Sequence, residues 1–335
     1  MTDMQSAPGA PIGGTGTEHG IDEAVALLAA ATSVTVLCHV HPDADTIGSG
    51  LALAIALARR SIPVQVSFPH PHELPESLRS MPGVEHLVAP EQVAAEVDLL
   101  VTVDAGSPDR VGDLAGRMAG ARRTLVIDHH ATNTRFGMVN VVDVDAESTT
   151  VVIAQILQAW GVPIDAALAH CLYAGLVTDT GSFKWAGARS HRLAADLLDT
   201  GIDGAAISRT LLDTHPFGWL PMLSAVLGTA RLEPDSAGGL GLVHAVIRRA
   251  DVGSLRWEEV ESVVDIVRTT ADAEVAAVLK EQPDGRWSVS LRSKRAFDVA
   301  QAARTLGGGG HRFAAGFTAE GEPDEVLSSL RRALG

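Results

Sequence analysis

The sequence predicts an α/β fold in two domains: an N-terminal parallel sheet with helices on both faces, then a smaller C-terminal α+β domain. Three observations carry this prediction. Short, fully apolar strands alternate with helically spaced segments through the first half, as in a parallel sheet covered on both sides. The 335 residues, 46% hydrophobic and 20% charged, suffice for two ordinary cores. Beyond about residue 230 the pattern changes to β-rich segments separated by single helices.

Taken in order, residues 1–19 are rich in Gly, Pro, Ser and Thr without periodicity, and are expected to form a disordered tail. Ordered structure is expected from near Ile21. The stretch "IDEAVALLAAA" has helical spacing, "SVTVLCH" is β-rich, and "TIGSGLALAIALARR" is helical again. Further strands are expected at 64–68, 98–104 and 124–128, and "TTVVIAQILQAW" reads as a helix. These elements make an N-terminal domain of residues 20–195, followed by a helical linker over 196–228. The C-terminal domain, 229–335, contains the strands "GLVHAVIRRA", "AEVAAVLKE" and "RWSVSLRSK". Between and after them lie the helix-like "WEEVESVVDIVRTT", "FDVAQAARTL" and a closing "PDEVLSSLRRAL".

The net charge of -15, from 41 acids and 26 bases, opposes a protein that holds long nucleic acid through many phosphates. A small anionic ligand is compatible with it, because a few local cations or N–H groups outweigh a distant field. Cys38 and Cys171 have no paired spacing, and are expected to be buried thiols without zinc or disulfide. No basic-then-apolar leader and no membrane-length apolar run is present, so a cytoplasmic protein without membrane association is expected.

The chemistry concentrates where the strands end. His39, Asp43 and Asp45 follow "SVTVLC"; Asp104 ends "DLLVTV"; Asp128, His129 and His130 end "TLVI". In an open parallel sheet, ligands bind beyond the carboxyl ends of the strands. Asp179, in "LVTDTGSF", ends an apolar helical stretch. Taken singly, any one of these residues reads more readily as a helix cap or turn residue than as a ligand, and Asp43 and Asp45 fit that description well. Taken together, the acids would repel one another unless a cation sat among them. Mixed carboxylate and imidazole donors without thiolate favour Mn²⁺ or Mg²⁺, with Mn²⁺ better suited to imidazole. The number of donors fits two ions sharing a carboxylate, a pair able to activate water and clamp a phosphoryl oxygen.

The segments "HVHPDADTIGS", "TVD", "DHH" and "LVTDTGSF", in that order, resemble the four motifs of the DHH phosphoesterase superfamily. "SVSLRS" and "GGGGHRFAAG" resemble its DHHA1 domain, and the resemblance extends from about residue 25 onward. The stand-alone NrnA-like group is the most similar, and actinobacterial members act on cyclic di-AMP. The resemblance implies that His39, Asp43 and Asp104 bind one Mn²⁺, with Mg²⁺ or Co²⁺ as substitutes. Asp45, His129 and Asp179 would bind a second, with Asp104 bridging both. Asp128 would support the adjoining imidazole as an outer carboxylate, and His130 would meet the substrate phosphate. A homodimer is implied as well.

In the C-terminal domain, "GGGGH" reads by composition as a flexible loop, although glycines also let backbone N–H groups approach an anion. Matched to the DHHA1 pattern, Arg292, Ser293, Gly309, Gly310 and His311 become the expected grip on the distal phosphate or nucleotide, with Arg268 as a further cation. Aromatics are only 4% of the chain, too few for a long stacking track. Phe183, Trp185 and Phe313 lie beside the motifs and are of a type that can stack on one base, but core packing is the favoured reading for each. The expected activity is Mn²⁺-dependent hydrolysis of cyclic di-AMP, pApA, short oligoribonucleotides and adenosine 3′,5′-bisphosphate. Rival readings are a family II inorganic pyrophosphatase, disfavoured by the GGGH pattern, and an exonuclease resembling RecJ, disfavoured by length and charge. A nucleotide sensor without turnover is disfavoured by the complete ligand set.

Overall fold

The computed structural model describes residues 15–335, so residues 1–14 of the expected tail lie outside the described part. The chain is already helical at Thr15, where α1 (Thr15–Ala29) begins, ahead of the expected start near Ile21. Ala24 and Leu28, four apart on one helical face, are buried and anchor this helix. Two compact units follow. The first extends to His129 and takes in Asn133–Leu211; the second holds His130–Thr132 and Leu212–Gly335.

The first unit is built on five parallel strands, β1 (Val34–Leu37), β2 (Val64–Ser67), β3 (Val97–Val103), β4 (Ala121–Asp128) and β5 (Val139–Val142), in the order β2-β1-β3-β4-β5. β5 was not expected from the sequence, because it is a four-residue edge strand carrying Asn140. Val34 of β1 pairs with Val64 on one side and Leu99 on the other. The order reverses at β1, so the gap between the ends of β1 and β3 is the switch point where parallel sheets bind ligands.

Helices α2 (Ala44–Arg59), α3 (Thr149–Ala159), α4 (Ala166–Asp179), α5 (Ala188–Leu198) and α6 (Gly204–Leu212) complete this unit. The apolar cluster of Leu37 and Leu100 is closed by Val93, Val111 and Leu114, which come from or flank the 3-10 segments Pro90–Gln92 and Pro108–Gly120. From Ala44 to Leu57 every residue of α2 is buried. It runs so near α4 that a Cβ at Gly48 would fall 2.4 Å from the carbonyl oxygen of Cys171, and one at Gly175 would fall 2.5 Å from Asp45 Oδ1.

In the second unit, α7 (Trp219–Gly228) leads into β6 (Arg231–Glu233), α8 (Ser236–Gly239), β7 (Leu242–Ile247) and α9 (Arg249–Val252). Next come α10 (Trp257–Glu261), α11 (Val263–Val267), β8 (Val275–Glu281) and β9 (Trp287–Ser293). The last elements are α12 (Val299–Thr305), β10 (Gly309–His311), β11 (Ala314–Ala319) and α13 (Pro323–Leu334). The sheet order is β10-β11-β9-β8-β7-β6, antiparallel except for β7 with β8. Alternation separates two cores: Ala277, Leu279, Val289 and Leu291 pack with α12 and α13, while Ala276 and Val278 pack with α7, α10 and α11.

Three expectations change here. The 196–228 segment is not a separate linker: Leu197 and Ile207 are buried in helices of the first unit, whereas Met222 and Val226 belong to a core of the second. The expected helix over "WEEVESVVDIVRTT" is split at Ser262, because the Glu259 carbonyl accepts from both the Ser262 hydroxyl and the Trp219 indole. The glycine run is not a free loop, since Gly309–His311 forms the edge strand β10. No helix among the described residues is long and apolar enough to cross a membrane.

The turn after β9 depends on one carboxylate. Glu274 Oε1 accepts from the N–H groups of Lys294, Arg295, Ala296 and Phe297 at 2.7–3.4 Å and from the Ser293 hydroxyl at 2.8 Å. Burial opposes its charge, but these donors outweigh it and hold the carboxyl at about 2, below its ordinary 4.5. A depressed carboxyl stabilises the fold above its unfolded value and loses that contribution as pH falls through the folded value. Glu274→Gln is therefore expected to cost about 1.5–3 kcal/mol at pH 7 in denaturant melts, with the difference shrinking from pH 4.5 towards 2. Gly48→Ala adds a strong helix former, yet is expected to destabilise by about 1–3 kcal/mol, because its Cβ meets backbone that cannot yield.

Candidate metal centre

β1, β3 and β4 end at the same edge of the sheet, and the polar residues that follow them converge there. Asp43 caps α2 by accepting from the N–H groups of Asp45 and Thr46, each at 3.1 Å. Asp45, in the first turn of α2, is fully buried. Its Oδ2 accepts from Thr149 N at 2.6 Å and its Oδ1 from Thr150 N at 2.9 Å, so the carboxylate lies against the first N–H groups of α3. Asp104 adopts φ +56, a left-handed conformation that aspartate tolerates better than most residues, and its N–H donates to Ile127 O at 2.9 Å.

Asp104 uses its two oxygens differently. Oδ2 lies 3.3 Å from His39 Nε2, and Oδ1 lies 3.6 Å from His129 Nε2 while accepting from Thr149 Oγ1 at 2.9 Å. Asp43 Oδ2 is 3.5 Å from His39 Nε2. Asp179 Oδ2 and Asp45 Oδ2 stand 3.4 Å and 3.9 Å from His129 Nε2. Among the described residues, the donor groups His39–Asp43–Asp104 and Asp45–Asp104–His129 share Asp104, which also stands with Asp128 and His130 in another such group.

Both imidazoles are anchored from behind. His39 Nδ1 lies 2.8 Å from Val40 O, and His129 Nδ1 lies 3.1 Å from Ala146 O. A carbonyl only accepts, so each Nδ1 carries the proton. In the neutral ring Nε2 then presents its lone pair to the carboxylates, an arrangement that needs a proton or a cation between them. The site's ionisation shows the same demand. Burial works against an imidazolium at His39, but Asp43 and Asp104 outweigh it and push the ring up to about 10. His129 is raised in the same sense, by Asp179, Asp104 and Asp45 against burial. Burial and repulsion from Asp179 and Asp104 push Asp45 well above the usual carboxylate range, and burial lifts Asp179 to about 6.

Donor atoms bound to one ion at about 2.1 Å stand about 3 to 4 Å apart, which matches these separations. The residues therefore fit divalent metal. Asp128, fully buried, sits behind this array: Oδ1 accepts from His129 N at 2.8 Å and Oδ2 from Asn133 Nδ2 at 2.6 Å.

In the second unit, pairing places His311 opposite Ala314 and Ala314 opposite Arg292, so His311 and Arg292 share a sheet face. Arg268 Nε donates to Asp265 Oδ1 at 2.8 Å, and Arg292 Nε stands 3.8 Å from the same oxygen. Asp265 thus brings the two arginines together. Gly308 and Gly310 must be glycine, since a Cβ would fall 2.1 Å from Gly316 O and 2.6 Å from Ala314 O. At Gly309 it would meet open space.

Residues 33–176 match the DHH family, N-terminal domain, and residues 243–335 match the DHHA1 domain. The bifunctional oligoribonuclease and PAP phosphatase NrnA of Thermus thermophilus is 32% identical over 267 residues, 78% of this chain and 78% of that protein. The chain belongs to the DHH family. A probable bifunctional oligoribonuclease and PAP phosphatase NrnA of Streptococcus mutans is 26% identical over 240 residues, 70% of this chain and 75% of that one. The crystal structure of an exopolyphosphatase-related protein from Bacteroides fragilis shares the fold at 24% identity, with TM-score 0.84, covering 95% of this chain and 96% of that chain.

This DHH phosphoesterase thus gathers His39, Asp43, Asp45, Asp104, His129 and Asp179 at one sheet edge, with Asp128 directly behind. His130 follows in the chain and is half-buried. The Ser293 hydroxyl donates to Glu274 Oε1 at 2.8 Å and so braces the turn after β9. Sequence reasoning missed Thr149, Thr150 and Asn133, whose donors fix Asp45, Asp104 and Asp128. The only signal was the capping run "STT" ahead of an apolar helix. It also missed Lys280, a buried ammonium bound to Glu261 at 2.5 Å and Ser290 at 2.6 Å.

Adding Mn²⁺ to EDTA-treated protein is expected to raise the melting temperature, with about 2.7 kcal/mol of stabilisation at a hundred times Kd. Asp179→Asn should shrink that gain; an equal gain in both proteins would rule out Asp179 as a donor.

Proposed function

We propose that the protein hydrolyses phosphoester bonds in small adenine nucleotides. The substrates are cyclic di-AMP, pApA and short oligoribonucleotides, together with the 3′-phosphate of adenosine 3′,5′-bisphosphate. The observation that carries this reading is the divided carboxylate of Asp104, one oxygen toward each imidazole, which would suit a residue shared by two ions. Support comes from relatives named for oligoribonuclease and PAP phosphatase activity.

His39, Asp43 and Asp104 would hold one Mn²⁺; Asp45, His129, Asp179 and Asp104 would hold the second, with Mg²⁺ or Co²⁺ as substitutes. Bound there, such a pair lowers the pKa of water and draws charge from phosphoryl oxygens. The chain's own contribution is order. Val40 O and Ala146 O fix the imidazole tautomers, the α3 N–H groups fix Asp45, and Asp128 holds the His129 backbone. His130 meets the substrate phosphate, and Arg268, Arg292, Gly309, Gly310 and His311 receive the distal phosphate or nucleotide, arginine offering a two-pronged donor. The working form is a cytoplasmic homodimer.

The test is a side-by-side assay of the Mn²⁺-loaded protein on cyclic di-AMP, pApA, longer RNA, adenosine 3′,5′-bisphosphate and pyrophosphate. Short adenine nucleotides should be turned over fastest, and Asp128→Ala should lower their hydrolysis about 10–100-fold. Preferential cleavage of pyrophosphate would overturn the nucleotide reading.

A further inference from the structure

Two threonines stand behind the donor cluster, each in the first turn of a helix, Thr46 in α2 and Thr149 in α3. Both are fully buried, so their hydroxyls must find partners inside the protein. Both find them among the donor residues and the backbone that carries those residues.

Thr46 serves the first donor group. Its Oγ1 accepts from His39 N at 3.2 Å and donates to Val103 O at 3.2 Å, one residue before Asp104. Its own N–H donates to Asp43 Oδ1 at 3.1 Å. One residue thus joins the end of β1 to the end of β3 and holds both His39 and Asp43.

Thr149 serves the second group. Its Oγ1 donates to Asp104 Oδ1 at 2.9 Å, the oxygen turned to His129, whereas Oδ2 is the oxygen turned to His39. Its N–H donates to Asp45 Oδ2 at 2.6 Å, and that oxygen also faces His129 Nε2. The two carboxylate oxygens that Thr149 holds are therefore the two directed at the same imidazole.

We propose that Thr46 and Thr149 are positioning residues, one for each of two ions. Thr46 orders His39 and Asp43 for the first ion, and Thr149 orders Asp45 and Asp104 for the second. The physical reason is preorganisation: donors already held in place lose less freedom when an ion binds, and partners behind the ligands contribute strongly to metal affinity. This assignment rests on the two-ion reading above and gives each site its own support.

The test is equilibrium dialysis of EDTA-treated protein against Mn²⁺ alone, counting ions bound per chain. Wild type should bind two. Thr149→Val and Thr46→Val should each weaken one ion about 10–100-fold, whereas Thr149→Ser and Thr46→Ser, which keep the hydroxyl, should retain two. Double variants identify the ion lost. Asp179→Asn added to Thr149→Val should cost no further ion, and Asp43→Asn added to it should remove the one that remains; for Thr46→Val the two additions should exchange effects. Thr149→Ala and Thr46→Ala make the same comparison where a valine variant does not fold. Hydroxyl-free variants that bind both ions as wild type does, serine variants that lose an ion equally, or double variants that do not show this pattern would overturn the assignment. Failure of the broader readings is distinct. Wild type that binds fewer than two ions would sink the two-ion reading before any variant is made. Wild type that binds two ions but turns over no pApA would sink the nucleotide reading and leave the threonine assignment standing.

Discussion

Four carboxylates and two imidazoles share a mostly buried volume at the end of a parallel sheet, and their mutual electrostatics constrain everything around them. Burial first, and repulsion between the acids second, pushes Asp45 and Asp179 up, while the neighbouring carboxylates push His39 and His129 up against their burial. The fold answers in two ways. Backbone and hydroxyl donors from the start of α3 are spent on Asp45 and Asp104, and the imidazoles are pinned so that their Nε2 atoms face inward. What remains is a demand for positive charge that divalent ions satisfy.

That demand sets the packing several residues away. Asp45 lies against the first N–H groups of α3, and α4 can pass close to both because Gly175 is the position where a side chain would strike Asp45 and Thr150. The same helix then delivers Asp179 to the cluster at its last residue. The glycines of this region therefore serve proximity rather than flexibility, in contrast to Gly181, whose φ of +55 opens the left-handed turn beyond Asp179.

The second unit gathers cations in a chain of net charge -15: Arg268 and Arg292 meet around Asp265, while Lys280 is buried against Glu261 and Ser290. Glu274 fixes the turn that follows Arg292. These cations are few but tightly ordered.

Much of this was legible in the sequence. The alternation of apolar strands and helices determined a parallel sheet. An acid or imidazole at the end of each strand determined one reactive edge, since side-chain chemistry at a strand terminus needs no long-range information. The glycine run and "SVSLRS" pointed to the DHHA1 domain. Tertiary structure alone decided the rest, because it depends on which distant segments meet. It showed that Ser293 serves Glu274, that Thr149, Thr150 and Asn133 fix the acids, and that the glycine run pairs as a strand. It divided the 196–228 segment between two cores. It also turned Trp185, for which the sequence favoured core packing, back over Gly181 through a left-handed turn whose φ values no residue pattern specifies.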